Sequence, residues 1–183
     1  MPHLKSLPED ARLLHVFKTY PAIAGPLMDL HDAVLRQESP LSPGQREMIA
    51  AYVSGLNQCR YCHGVHTVVA EQFGVPEGLL QDLMADPERA AVDARMRPLL
   101  AYVRKLTETP SRLTEHDAQA VYDAGFDERA LHDAVAVTAL YNFMNRYVEG
   151  LGIETTDAYN QEGGTRLATI GYAGLKEMLL ADA

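Results

Sequence analysis

Cys59 and Cys62 are the only cysteines in the chain, and they stand in a C-x2-C pair with His66 four residues after the second thiol and Glu47 twelve residues before the first. A thiol pair at this spacing, with an imidazole and a carboxylate close by, can run reversible redox chemistry, hold a metal ion or close a small structural loop. On a helix, residues four apart share a face, so Cys62 neighbours His66 and Cys59 neighbours His63, while Cys59 and Cys62 are close enough in register to meet. A cysteine in the first turn feels the positive end of the helix dipole, which favours thiolate. The spacing therefore predicts a lowered pKa at Cys62, with His66 holding its proton and Glu47 orienting the imidazole or completing a relay. Cys59, at the helix start, is expected to be the more exposed thiol.

Two rival readings have to be set against this one. Zinc takes three ligands from Cys59, Cys62 and His66, but a closed tetrahedral site then needs Glu47 or His63 as the fourth. No third cysteine is present to fill that place. Taken singly, Glu47 reads as a solvated helix residue, and only its position opposite the cysteines raises it. Tyr61 at helical spacing reads as packing, and His63 as a surface residue or a participant. His15, His31, His116 and His132 read as ordinary. Asn142, Asn145 and Arg146 interrupt an apolar helix and need partners if buried.

The elements that must position these groups are helical throughout. The 3.6-residue period recurs along nearly the whole chain, without sustained strand alternation, so the fold class is all-α. Paired helices are expected at 9–19 and 23–36, broken at Tyr20-Pro21. Ser42-Pro43 gives a cap and a first-position proline for a helix to about Leu56. Asn57 and Gln58 interrupt, and a second helix runs from about Cys59 to Gly74, so a tight helix-turn-helix carries the whole motif. Small residues Ala51, Ser54 and Gly55 beside Glu47 allow the two helices to approach. Further helices are expected at 76–84, around Met96 to Leu106 with a stop at Pro110, at 113–123 capped by Thr114, and at 127–151 closed by Gly152. Thr155 to Thr165, with Gly163-Gly164, reads as a loop before a closing helix at 167–180. No linker divides the chain, so one domain over 1–183 is expected.

Composition narrows the function classes. A hydrophobic share of 47% with 22% charged residues is that of an ordinary globular protein. The formal charge of -9, with 16 scattered Lys and Arg, argues against nucleic acid and against an anionic membrane surface. The longest uncharged run, 134–145, is too short to span a bilayer. Acids and prolines interrupt the first residues where a signal peptide needs an apolar stretch, and a cytoplasmic location is expected. In a reducing compartment a close cysteine pair reads as catalytic or metal-binding.

The pattern Glu47, Cys59, Cys62, His66, preceded by LSPGQREMI and followed by AEQFGV, resembles the AhpD-like alkylhydroperoxidases of the carboxymuconolactone decarboxylase superfamily. The later ALYNFMNRYVEGLGI is similar to the matching segment of its peroxidase-related branch. The core of the resemblance covers about 41–75. It implies an all-helical fold, homo-oligomeric assembly, a hydroperoxide substrate, an external dithiol reductant and no cofactor or metal. It further implies that Cys62 is peroxidatic, Cys59 resolving, and Glu47 with His66 a proton relay. Tyr61 stands where better-studied relatives have histidine, which removes one acid-base neighbour and leaves His63 and Tyr61 as possible assisting groups. A non-catalytic thiol sensor or adaptor, and a decarboxylase-like enzyme using Glu47 and His66, are the alternatives. Amphipathic helices with more than one apolar side also predict self-association.

Overall fold

The computed structural model describes residues 2–181. Among them the regular elements are all helical: α1 (Leu13–Thr19), α2 (Pro21–Leu35), α3 (Pro43–Leu56), α4 (Arg60–Gln72), α5 (Leu79–Ala85), α6 (Met96–Glu108), α7 (Glu115–Asp123), α8 (Glu128–Gly150) and α9 (Asp157–Leu180), with a short 3-10 turn at Pro110–Arg112. The breaks follow backbone chemistry. Pro21 opens α2 directly after Tyr20, and α3 starts on a capping box in which Ser42 Oγ accepts from the Gln45 amide. Asp127 and Thr156 cap α8 and α9 in the same manner, each accepting a backbone N–H three residues on.

The α3–α4 connection matters most, because it places the thiols. Gln58 adopts a left-handed φ of 59°. Its N–H bonds to the Gly55 carbonyl at 2.9 Å and the Cys59 N–H to the Ser54 carbonyl at 2.9 Å. This is a Schellman closure with glutamine in the usual glycine place. It folds the chain back within two residues, so α3 and α4 pack as an antiparallel pair with Cys59 as the cap of α4. Gly55 permits the approach: a Cβ there would stand 2.5 Å from Met84 Sδ and 3.1 Å from His63 Nδ1.

The segment expected as a loop at 155–165 is instead the first half of α9, which runs unbroken in hydrogen bonding past Gly163-Gly164 and changes direction at Gly171. The glycines are contact points, not helix breakers. A Cβ on Gly164 would lie 2.6 Å from Val68 Cβ and 2.8 Å from the Val65 carbonyl oxygen, and one on Gly64 would lie 2.0 Å from Asn160 Nδ2. Bare backbone at Gly64 and Gly164 thus lets α9 lie directly on α4, which outweighs the low intrinsic helix propensity of the pair. Elsewhere the sequence-based boundaries shift by a few residues at helix ends, most at α1 and α5, whose first turns are irregular.

The core is a continuous apolar cluster centred on α3, α4 and α8, with Ile49, Val53, Val69, Val137 and Val148 fully buried. No helix among the described residues is long and apolar enough to cross a membrane.

Candidate active site

Helix α3 contributes a carboxylate where a core residue would ordinarily sit. Glu47 is fully buried, and both oxygens are used: Oε2 accepts from His66 Nδ1 at 2.6 Å and Oε1 faces Arg36 Nη2 at 2.6 Å. Burial opposes charge on Glu47. The attraction of His66 and Arg36, with their hydrogen bonds, outweighs it and holds the carboxyl below its ordinary range. Arg36, just past the end of α2, is itself fixed between two rings, with its guanidinium 4.9 Å from the centroids of both Phe73 and Tyr172.

Glu47 draws the proton of a neutral His66 ring onto Nδ1, and in that tautomer Nε2 accepts from Tyr141 Oη at 2.9 Å. The Tyr141 hydroxyl also lies 3.3 Å from that of Tyr172, whose own O–H reaches Glu47 Oε1 at 3.5 Å. Arg36, Glu47, His66, Tyr141 and Tyr172 therefore form one buried polar network drawn from α3, α4, α8, α9 and the end of α2. Sequence reasoning found two of its members and missed three. The available signal was the spacing of Tyr141 with Val137, Met144 and Val148 on the core face of α8, since a phenol buried at such a position needs a partner.

The network opens into a cavity of about 80 Å³ between α1, α2, α4, α8 and α9. Cys62, His66 and Tyr141 stand on its wall, with His31, Tyr61 and the apolar side chains of α1 around them. Room for one or two small molecules is available there, a water occupying about 30 Å³ in the liquid.

Both thiols are free and buried, Cys59 fully and Cys62 to within 2%. The expectation of a more exposed Cys59 is thus corrected: the Schellman turn tucks its cap position beneath α3. What separates the two is access, because Cys62 lines the cavity and Cys59 does not. The lowered pKa expected for Cys62 is also corrected. A hydrogen bond with the Cys59 thiol, reinforced by burial, pushes the Cys62 thiol well above its ordinary value, and the Asn145 amide works in the opposite direction. The physical reason is that the imidazole expected to hold the thiol proton has both ring nitrogens engaged, one by Glu47 and one by Tyr141.

Asn145 is the buried amide that the sequence left without a partner. Its Nδ2 donates to Ser54 Oγ at 2.9 Å and its Oδ1 accepts from Asn57 Nδ2 at 2.9 Å, so it ties α8 to the turn that holds the thiols. Asn142 accepts from the same Asn57 amide and from Arg146 Nη1 at 2.9 Å. His63 turns away from the thiols, its Nδ1 2.9 Å from the Ala51 carbonyl oxygen, and serves as a strut between α3 and α4. Tyr61 packs its ring 5.9 Å from that of Tyr159 on the cavity wall. Among the described residues, no three His, Cys, Asp or Glu side chains converge as they would around a metal ion. Since His66 offers no unengaged nitrogen toward the cysteines, the set that zinc would need does not assemble.

His31, read from the sequence as ordinary, is a wall of the cavity. Its Nδ1 donates to the Leu27 carbonyl at 2.7 Å, and its ring lies 5.1 Å from that of Tyr172. Burial, only partly offset by the Leu27 carbonyl, lowers its pKa from 6.5 to about 4. Between those values the unfolded chain binds a proton that the folded chain does not. The resulting stability is fully present above about pH 6.5 and is lost as pH falls toward 4, by roughly 3 kcal/mol. Denaturant midpoints measured at pH 7 and 4.5 should show that drop, and His31→Asn should flatten it. An unchanged slope in the variant would place the titration elsewhere.

Comparison with known proteins comes to the same architecture. Residues 21–105 match the carboxymuconolactone decarboxylase family. No curated protein matches the sequence. An uncharacterized peroxidase-related protein from Silicibacter sp. TM1040 is similar at 27% identity and a TM-score of 0.75, over 81% of this chain and 78% of that one. The fold is shared with an AhpD-core peroxidase-related protein from Ralstonia eutropha JMP134, at 24% identity and a TM-score of 0.75 over 81% and 78% of the two chains. It is shared also with a protein of unknown function from Agrobacterium tumefaciens, at 21% identity and a TM-score of 0.65 over 77% and 95%. The chain thus matches the carboxymuconolactone decarboxylase family over 21–105 and shares the helical fold of AhpD-like, peroxidase-related proteins, with its C-x-x-C pair at the start of α4.

Proposed function

We propose that the protein is a thiol-dependent peroxidase that reduces hydroperoxides through a Cys59/Cys62 dithiol-disulfide cycle, as part of antioxidant defence in the cytoplasm. The observation that carries this reading is a cysteine on the wall of a cavity, directly backed by a second cysteine and sharing that wall with a histidine that a buried carboxylate orients. Cys62 attacks the peroxide and becomes a sulfenic acid. Cys59, within hydrogen-bonding reach, condenses with it to a disulfide and releases water, and an external dithiol restores both thiols. The apolar lining from Leu13, Phe17, Met28 and Leu167 favours small organic hydroperoxides over hydrogen peroxide.

Catalytic consumption of an organic hydroperoxide with a dithiol donor tests the assignment. Slow, stoichiometric oxidation without turnover would favour a thiol sensor instead. A decarboxylase-like reaction would leave Cys62→Ser fully active. Self-association belongs to the same proposal, supported by the stacked row Phe17, Tyr147 and Phe143, whose outer member is 45% exposed, beside exposed Tyr20 and Ile23. Sedimentation at micromolar concentration should give an oligomer, and a stable monomer would contradict it.

A further inference from the structure

The imidazole of the relay does not face the thiol directly. His66 Nδ1 is held by Glu47 at 2.6 Å, and Nε2 is covered by the Tyr141 hydroxyl at 2.9 Å, so the group that the relay presents to the cavity is a phenol. Tyr141 is fully buried in its protein surroundings yet stands on the cavity wall together with Cys62. The groups facing its hydroxyl are His66 and Tyr172, with the edge of the His31 ring 6.0 Å away between centroids and Glu47 and Arg36 behind them. A hydroxyl used only for packing would not need the fixed lone pair of a carboxylate-oriented histidine.

We propose that Tyr141 is the proton donor to the leaving oxygen of the hydroperoxide, a role that rests on the peroxidase reading above and that sequence comparison alone does not assign. The thiol proton of Cys62 passes to the Tyr141 oxygen as the Tyr141 proton moves to His66 Nε2, leaving a thiolate, an intact phenol and an imidazolium against Glu47. The thiolate sulfur attacks the terminal oxygen of ROOH; the S–O bond forms as the O–O bond breaks, sulfur loses two electrons and the peroxide gains them. The Tyr141 proton goes to the departing RO⁻, and His66 Nε2 returns a proton to the phenolate. The sum is Cys62-SH plus ROOH giving Cys62-SOH plus ROH, with His66 and Tyr141 restored. In this arrangement the phenol takes the acid-base place that Tyr61 cannot fill, since Tyr61 lies against Tyr159 and makes no bond to the relay.

The consequence that distinguishes a proton donor from a packing residue is dependence on the leaving group. An alkyl hydroperoxide expels a strongly basic alkoxide that needs a proton, whereas a peroxycarboxylic acid expels a carboxylate that does not. Tyr141→Phe should therefore slow sulfenic acid formation with an alkyl hydroperoxide by about 10²-fold, the usual weight of a positioned general acid. With a peroxycarboxylic acid the loss should be at least about tenfold smaller, limited to the part Tyr141 plays in ionising the Cys62 thiol, and the remaining reaction shows that thiol and fold are intact. Tyr172→Phe, removing the neighbouring hydroxyl, should spare the difference between the two oxidants. Equal losses with both oxidants, or no loss with either, would overturn the role of Tyr141 while leaving the peroxidase reading in place. Wild-type protein inert to both oxidants would remove that reading and Tyr141's role with it. Should the phenylalanine variant fail to fold, a fluorotyrosine inserted at position 141 keeps the volume and makes the phenol more acidic; it should change the alkyl hydroperoxide rate more than the peroxycarboxylic acid rate, and an equal change in both rates would count against the proposal.

Discussion

Cys62→Ser is expected to abolish hydroperoxide consumption, a loss of roughly three orders of magnitude or more, whereas Cys59→Ser should react once and stop. The reason is access and not acidity. Both thiols are buried, and the cavity reaches only Cys62. In Cys59→Ser, one equivalent of an organic hydroperoxide should leave a sulfenic acid on Cys62 that a dimedone-type probe captures, because the resolving thiol is gone. The same substitution removes the strongest influence raising the Cys62 pKa, its hydrogen bond with Cys59. The Cys62 thiol in that variant should accordingly alkylate at lower pH than in the wild type. Labelling of Cys59 in Cys62→Ser, with Cys62 silent in Cys59→Ser, would reverse the assignment.

Glu47→Gln is expected to damage both rate and stability. The buried ion pairs make it more than a loss of function. Removing the charge leaves the Arg36 guanidinium and the His66 imidazole without the carboxylate they share in a largely buried site. Breaking one member of a buried pair costs roughly 3 kcal/mol, which for a chain of this size lowers Tm by about 10 °C. The rate should fall by about 10²-fold or more, because an amide can donate to His66 Nδ1 and so force the proton onto Nε2, where it meets the Tyr141 hydroxyl. Thermal melting and the pre-steady-state rate of peroxide reduction together check this. A variant as stable and as fast as the wild type would reduce Glu47 to a packing residue. The same carboxylate contributes to acid sensitivity: with a pKa held below its ordinary range in the folded chain, its stabilisation is present at neutral pH and is lost as pH falls through and below the usual carboxylate range.

The helix-turn-helix from Pro43 to Gln72 was legible because its signals are local. A serine cap with proline behind it, a polar break at Asn57-Gln58 and a glycine after Phe73 each act within a few residues. The grouping of Glu47 with His66 was legible for the same reason, since one short turn fixes the register of the two helices. What remained hidden depends on contacts between distant segments. Gly163-Gly164 reads as a loop until Gly64 and Val68 of α4 are seen against it, when the missing side chains become the condition for close packing. Arg36, Tyr141 and Tyr172 carry no motif of their own, and become parts of the site only because α2, α8 and α9 converge on Glu47 and His66. The pKa of Cys62 was misjudged because helix position suggests thiolate, whereas burial beside a second thiol and an already engaged imidazole suppresses it.

The central claim is that the two cysteines form one redox unit driven by peroxide, and it is tested most directly by adding one equivalent of an organic hydroperoxide to the fully reduced wild-type protein and counting thiols alongside the intact mass. Loss of both thiols, a mass lower by two hydrogens, and return of both on addition of a dithiol is the result expected from Cys59 and Cys62 in their present geometry. Peroxide consumed while both thiols remain free, or thiols left reduced with the peroxide intact, would contradict it.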